Sequence, residues 1–283
     1  MKKKFLLALL KGFASFPLSI LYLFSDFAFL IVYHVVCYRK KVVRKNLEES
    51  FPEKNPQQMK AIEKDFFRYL CDVIVETVKL FSISEKQMAR RVEVINAEEV
   101  NSAIESGRSV VLLLGHYCNW EWVQQITRHL SPKAVQLSIY HPLSNKTWDE
   151  IFSYLRSRWG ARIVPSVKAP RILLDRDNMP WVCGFIADHW TWKHSEDSCV
   201  RFLNHDTYFI TGPEELGRKI GADFFYLEMN RKKRGYYSIT FHPLHPVNVN
   251  EKFAYTKEFW TEFEKTVRRA PQYWMWSHKR WKS

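Results

Sequence analysis

From Phe13 to Val36 the chain is overwhelmingly apolar, over a length that crosses a bilayer as a helix, which takes roughly 20 residues. Pro17 lies near its start, Asp26 in its middle, and basic clusters flank it on both sides, Lys2 to Lys4 before and Arg39 to Lys45 after. Positive charge at both ends sets no orientation, so a full span and a helix lying in one leaflet fit the pattern equally. A cleaved secretory signal would share the Lys-rich start and "FLLALL". The apolar character continues past Lys11, however, and no A-x-A-like site closes it. Residues 1–45 are therefore read as a retained membrane anchor with basic flanks.

Residues 46–91 turn to a helical period, with Phe66, Leu70, Val73 and Val78 on one face and breaks at Pro52 and Pro56. From Val92 short apolar runs alternate with helices. The strands are "VEVIN", "SVVLLLG", "AVQLSIY", "ARIVP" and "PWVCGFIAD". The helices run from Ala97 to about Ser106, from about Trp120 to His129, through "WDEIFSYLRSRWG" and near "APRILLDR". A β-richer tail follows: "VRFL", a helix in "GPEELGRKIG", a hairpin of "DFFYLEMNR" and "YYSITFHPL" across "KKRG", and an amphipathic helix from Phe253 to Arg269. Apolar strands alternating with helices demand cover on both faces of a sheet. The fold class is thus α/β, a mixed sheet flanked by helices, with residues 46–283 as one α/β domain behind the N-terminal membrane-associated helix.

The length of 283 residues allows one sizeable core without metals or disulfides. Five scattered cysteines include no C-x-x-C pair, so they are reduced thiols and neither zinc ligands nor a redox motif. With only nine glycines there is no G-x-x-x-x-G-K or G-x-G-x-x-G loop, which excludes kinases, NTPases and Rossmann dehydrogenases. A net charge of +13 calls for an anionic partner: a phospholipid surface, a phosphorylated substrate, an acidic carrier protein or a nucleic acid.

Catalytic groups in such sheets gather beyond the carboxyl ends of the strands. Two strands end in ionisable residues there: "VVLLLG" delivers His116, and "WVCGFIAD" delivers Asp188. Glu121 follows His116 by five residues in the first turn of the next helix. A carboxylate bonded to one ring nitrogen fixes the tautomer and leaves the other to take a proton from an alcohol attacking an activated acyl group. The plain alternative is a satisfied strand-end histidine beside an ordinary helix carboxylate. No G-x-S-x-G elbow is present, so direct transfer is expected, with no acyl-enzyme. His116, Cys118 and His129 match no metal-ligand spacing, and neither metal nor cofactor is expected.

"GHYCNWEW" resembles the H-x4-D/E motif of the glycerolipid and lipid A acyltransferases. The likeness extends along the chain to the late acyltransferases of lipid A biosynthesis that depend on acyl carrier protein, the lauroyl and myristoyl transferases. It rests on the apolar start with "YRKKVVRKNLEESFPEK", on "IADH", on "VRFLNHDTYFITGPEELGRKIGADFFYLEMNR" and on "APQYWMWSHKRW". The resemblance implies a glycerolipid-acyltransferase-like fold, His116 as general base on an acceptor hydroxyl, Glu121 orienting it, and an acyl carrier protein thioester as donor. It implies a lipid A precursor of the Kdo-lipid IVA type as acceptor, in lipopolysaccharide biosynthesis at the cytoplasmic face of the bacterial inner membrane. It also places an arginine between the two strand ends, for which Arg156 and Arg158 are the candidates with Arg158 preferred, and an acidic residue at Asp188. The chain departs from the family pattern at Phe202 to Asn204, "FLN" for F-F-G, and at His189, "DH" for D-Q. Both departures are expected beside the acyl or acceptor site.

Trp274, Trp276 and Trp281, with the basic residues around them, are candidates for membrane contact against simple packing. Asp175 and Asp177 read as a helix end and turn, and His194, His242 and His245 carry no assigned chemistry. His205 lies in a segment the family uses near substrate. Two rivals remain: the same chemistry on another envelope lipid, a glycerophospholipid or aminolipid, and a non-catalytic, membrane-tethered basic binding module. A nucleic-acid partner is not expected, since a base-stacking module needs neither a strand-end His and Glu nor a long apolar anchor.

Overall fold

The computed structural model describes residues 2–175, 179–189 and 196–281, so Asp177 and His194 fall outside it. Seven strands form the main sheet: β1 (Val92–Ile95), β2 (Val110–Leu114), β3 (Val135–Tyr140), β4 (Arg162–Pro165), β5 (Trp181–Ile186), β8 (Asp223–Lys233) and β9 (Tyr236–Pro243). Between β5 and β8 a separate hairpin, β6 (Cys199–Phe202) and β7 (His205–Tyr208), stands apart. The sheet order is β1-β9-β8-β2-β5-β3-β4; β8, β2, β5, β3 and β4 run parallel, while β9 turns back against β8 and pairs in parallel with β1. Helices cover the sheet, so the expected α/β architecture, a mixed sheet flanked by helices, is present, and most of its pairings are parallel. Every residue of β2 is buried, as its unbroken "VVLLL" requires of a central strand with both faces covered.

The hairpin expected across "KKRG" is there, with Gly235 at φ +72° in its turn. The hairpin of β6 and β7 was legible only in its first strand, as "VRFL". Its two-residue turn puts Leu203 at φ +48° and Asn204 at φ +67°, the left-handed pair such turns need, yet its first residue is a leucine. Leu203 is fully buried, and that burial offsets the strain. Phe202 packs edge-on against Trp274, with ring centroids 5.4 Å apart, so "FLN" lies one residue removed from the site described below.

Five helices precede the sheet: α1 (Lys2–Ser15), α2 (Leu18–Leu30, running on into a π-helical Ile31–Val36), α3 (Lys40–Ser50), α4 (Pro56–Lys79) and the short α5 (Glu85–Ala89). A capping box between Asn55 and Gln58, with Pro56 in the first turn, starts α4. Leu18–Val36 is the one segment among the described residues long and apolar enough to cross a membrane. Polar bonds nonetheless tie it sideways to α4: Tyr22 Oη donates to Glu76 (2.7 Å), Ser25 Oγ to Asp72 (2.7 Å) and Tyr33 Oη to Glu63 (3.0 Å). Arg234, in the turn between β8 and β9, donates to both Asp26 (2.7 Å) and Asp72 (2.6 Å), which explains a carboxylate in an apolar run. At the end of α1, Lys79 Nζ donates to the carbonyls of Ala14 (2.8 Å) and Phe16 (2.9 Å). Leu18, Leu21, Ser25 and Phe29 form the buried face of α2, while Leu23, Phe24, Phe27 and Leu30 are exposed.

Of the two readings of the C-terminal tryptophans, membrane contact and packing, Trp274 and Trp276 take packing. Trp274 and Trp276 are almost wholly buried, and the Trp281 indole donates to Thr207 Oγ1. Antiparallel pairing of Trp274 with Tyr117 draws this segment against the loop after β2.

Candidate active site

In the register of β2 and β5, Leu114 stands beside Ile186. The ladder continues one step further, Ala187 N–H donating to the Leu114 carbonyl (2.8 Å). His116 and Asp188, each two residues past its strand, therefore meet: His116 Nδ1 lies 2.7 Å from Asp188 Oδ1, and the His116 backbone N–H donates to Oδ2 (3.0 Å). Between Leu114 and His116 only glycine fits, because a Cβ on Gly115 would stand 2.2 Å from the Phe263 ring. The Trp274 indole N–H supplies a third bond to Asp188 (2.8 Å). Asp188 is fully buried, which alone would raise its pKa; the neighbouring His189 and His116 and the bonds from His116 and Trp274 outweigh that and hold it well below the usual carboxylate range. An ionised Asp188 accepts from Nδ1–H and makes Nε2 the basic nitrogen of His116.

His116, His189 and His278 form a stack, with ring centroids 3.7 Å and then 4.1 Å apart and planes within 12°. Burial, opposed by Asp188, pushes His189 down to about 3, so it is neutral around pH 7. His116, Asp188 and His189 bring three ligand-type atoms within 4.8 Å of one another. Parallel stacked rings do not aim their lone pairs at one point, and Asp188 already accepts three N–H bonds. The geometry suits holding a proton on His116 better than converging on an ion.

Glu121 does something other than expected. "WEWVQQITR" winds as a 3-10 helix (Trp120–Arg128), started by Asn119, whose side chain accepts from Trp122 N–H (3.3 Å) and donates to the buried Glu76 (2.6 Å). In this tighter winding both oxygens of Glu121 face Arg156, which grips them through Nε (3.0 Å) and Nη2 (2.6 Å). The bond expected from Glu121 to His116 is thus made by Asp188, and Glu121 instead fixes an arginine. Arg156 stays a cation: burial favours its neutral form, but Glu121 more than compensates. Arg158, preferred on sequence grounds, points elsewhere and donates to the carbonyls of Leu80 and Ile83. His205 stacks on Trp281 at 3.8 Å, and His242 bonds Glu228 (3.0 Å).

A cavity of about 350 Å³ opens beside these groups. His116, Trp120, Glu121 and Arg156 line one part, and Leu112, Leu137, Val182 and Gly184 carry it into the sheet's interior. Trp274, His189 and His278 complete the surroundings of His116. Sequence reading had given Trp274 another role, had met His189 only as a departure, and had passed over His278. The signal for Trp274 is weak: an aromatic donor far along the chain from the acid it serves.

Fold and site together are those of an α/β protein with a histidine–aspartate pair at two strand ends beside a cavity. The chain belongs to the bacterial lipid A biosynthesis acyltransferase family, whose model matches residues 3–283. It is 25% identical over 251 residues to the lipid A biosynthesis lauroyltransferase of Escherichia coli strain K12, covering 87% of this chain and 79% of the relative. The palmitoleoyltransferase of the same strain and a lipid A biosynthesis acyltransferase of Shigella flexneri are each 21% identical over 258 residues, with the same coverage.

Proposed function

We propose that this protein transfers a fatty acyl group from an acyl carrier protein thioester to a hydroxyl of a Kdo-bearing, tetraacylated lipid A precursor. The observation that carries the reading is the His116–Asp188 pair, with His116 lining a largely apolar cavity, in a chain that the family model covers almost end to end. The hydroxyl oxygen attacks the thioester carbonyl while His116 Nε2 takes its proton. Asp188 holds the tautomer and stabilises the imidazolium. Arg156 spends two of its five N–H donors on Glu121 and has others to offer the oxyanion. Collapse of the tetrahedral intermediate expels the thiolate, which recovers the proton from His116. Glu121 serves as the positioning residue for Arg156. An acidic carrier protein and a phosphorylated glycolipid both suit a net charge of +13.

In this reading α1 and α2 lie in the cytoplasmic leaflet of the inner membrane and do not span it. A span would pull Tyr22, Ser25, Asp26 and Tyr33 from their partners into hydrocarbon, where unpaired polar groups cost several kcal/mol each. Lying flat keeps those bonds and buries the exposed Phe5, Leu9, Leu23, Phe27 and Leu30 in lipid. The protein is expected to float with anionic phospholipid vesicles, and replacing Leu23 and Phe27 together by Ser should return most of it to the soluble fraction. Unchanged flotation would reject this face as the membrane contact.

The reaction is tested with radiolabelled acyl groups on a panel of carrier protein thioesters, offered with the tetraacylated precursor. Labelled glycolipid is the expected product. No product from folded protein with any thioester would overturn the acceptor, and transfer to a glycerophospholipid or aminolipid in its place would redirect the reading to another envelope lipid.

A further inference from the structure

Trp120 and Glu121 line two cavities. The second, about 290 Å³, lies between helices: Leu10 of α1, Val73, Ile74 and Val78 of α4, and Ile151 and Phe152 of the helix Lys146–Ser157 form its wall. It offers almost nothing polar to a ligand. The Thr77 hydroxyl donates to its own helix at the Val73 carbonyl (2.8 Å), and Glu121 is committed to Arg156. A site whose lining is so largely apolar takes hydrocarbon.

The two cavities differ in what surrounds them. The first runs inward among the core strands. The second has exposed apolar residues on its rim, Ile74 and Trp148, and one wall belongs to α1, whose Phe5 and Leu9 are exposed. It is thus continuous with the apolar surface assigned above to the leaflet. A chain carried on a thioester arrives from water, whereas a chain of a membrane lipid arrives from that surface.

We propose that this second groove seats an acyl chain of the acceptor lipid while its hydroxyl is attacked, and that Trp120 and Glu121 partition it from the donor chain. The inference rests on the proposed function and deepens it. The Trp120 ring meets His116 edge-on, with centroids 5.2 Å apart, so both cavities end beside the same histidine. The donor's carbonyl and the acceptor's hydroxyl then approach Nε2 from opposite sides of one indole.

Two variants narrow the groove from its accessible positions, Ile74→Trp and Val78→Phe. Each should raise KM for the tetraacylated acceptor by about tenfold, the cost of displacing about two methylenes, with KM for the thioester unchanged. Melting curves check that each variant folds. A rise in KM for the thioester, or a shift in its preferred chain length, would give the groove to the donor and overturn the proposal, as would no change in either KM.

A second measurement needs no turnover. The acceptor is made with a diazirine on one acyl chain, irradiated with the wild-type protein, and the adducts mapped. Labelling within residues 70–81 or 148–155 supports the groove. Labelling confined to the walls of the first cavity, or none above background, rejects it. Turnover without groove labelling rejects the groove alone, and labelling without turnover leaves the groove standing while the reaction fails.

Discussion

Asp188→Asn is expected to lower acyl transfer by roughly 10³- to 10⁴-fold with little change in fold, the scale seen when the acid behind a catalytic histidine becomes an amide. The amide accepts the Trp274 indole as before, but its NH2 can donate to His116 Nδ1. That puts the ring proton on Nε2, the nitrogen facing the cavity, and removes the charge that stabilises the imidazolium. His116→Ala should lose a comparable factor, and the double variant little more than either alone, because the two residues act as one unit. Initial rates with a labelled thioester and saturating acceptor measure this. More than a tenth of wild-type activity in Asp188→Asn would remove Asp188 from the mechanism.

The Glu121–Arg156 pair gives the second large effect, and it separates structure from chemistry. Glu121 is buried and Arg156 about a quarter exposed. Arg156→Met leaves a buried carboxylate without its partner, and breaking such a pair costs about 3–5 kcal/mol, with the lower end expected for a partly exposed arginine. Glu121→Gln strands the guanidinium instead. The double variant Glu121→Gln/Arg156→Met removes both charges and should recover most of the stability in urea unfolding. If Arg156 supports the oxyanion, this refolded double variant still transfers acyl groups roughly 10²- to 10³-fold more slowly. Recovery of activity along with stability would make the pair a structural brace only.

Much of this was visible in the linear pattern, and the residues that were not show why. The buried strands were read from their apolar runs, and both His116 and Asp188 were picked out as strand-end groups. That they touch was not readable: β2 and β5 are neighbours only in the sheet, and their equal two-residue overhang gains meaning once the register is known. Glu121 misled by proximity in sequence, since the 3-10 winding of Trp120–Arg128 turns it to Arg156. Arg156 and Arg158 stand about 200° apart around a helix, at about 100° per residue, so at most one faces the cavity. Spacing alone does not say which. The tryptophans of "QYWMW" were read by composition, which cannot distinguish an interface from a core, and a strand-like pairing with Tyr117 put them inside.

The hydrogen bonds between α2 and α4 bear on how the molecule can be handled. An anchor joined by a linker can be cut off to leave a soluble catalytic part. Here residues 18–36 act as a keel built into the hull, and Glu76, which accepts from Tyr22 on one side, also accepts from Asn119, the residue that starts the helix carrying Glu121. Cutting after the basic run would take Tyr22 from Glu76, Ser25 from Asp72, and both Tyr33 and Arg44 from Glu63, three buried carboxylates, at about 1–3 kcal/mol for each neutral donor and more for the arginine. It would also bare the apolar side of α4. Solubility gained that way would come out of the active-site loop, whereas trading exposed Leu23 and Phe27 for polar residues leaves the keel in place.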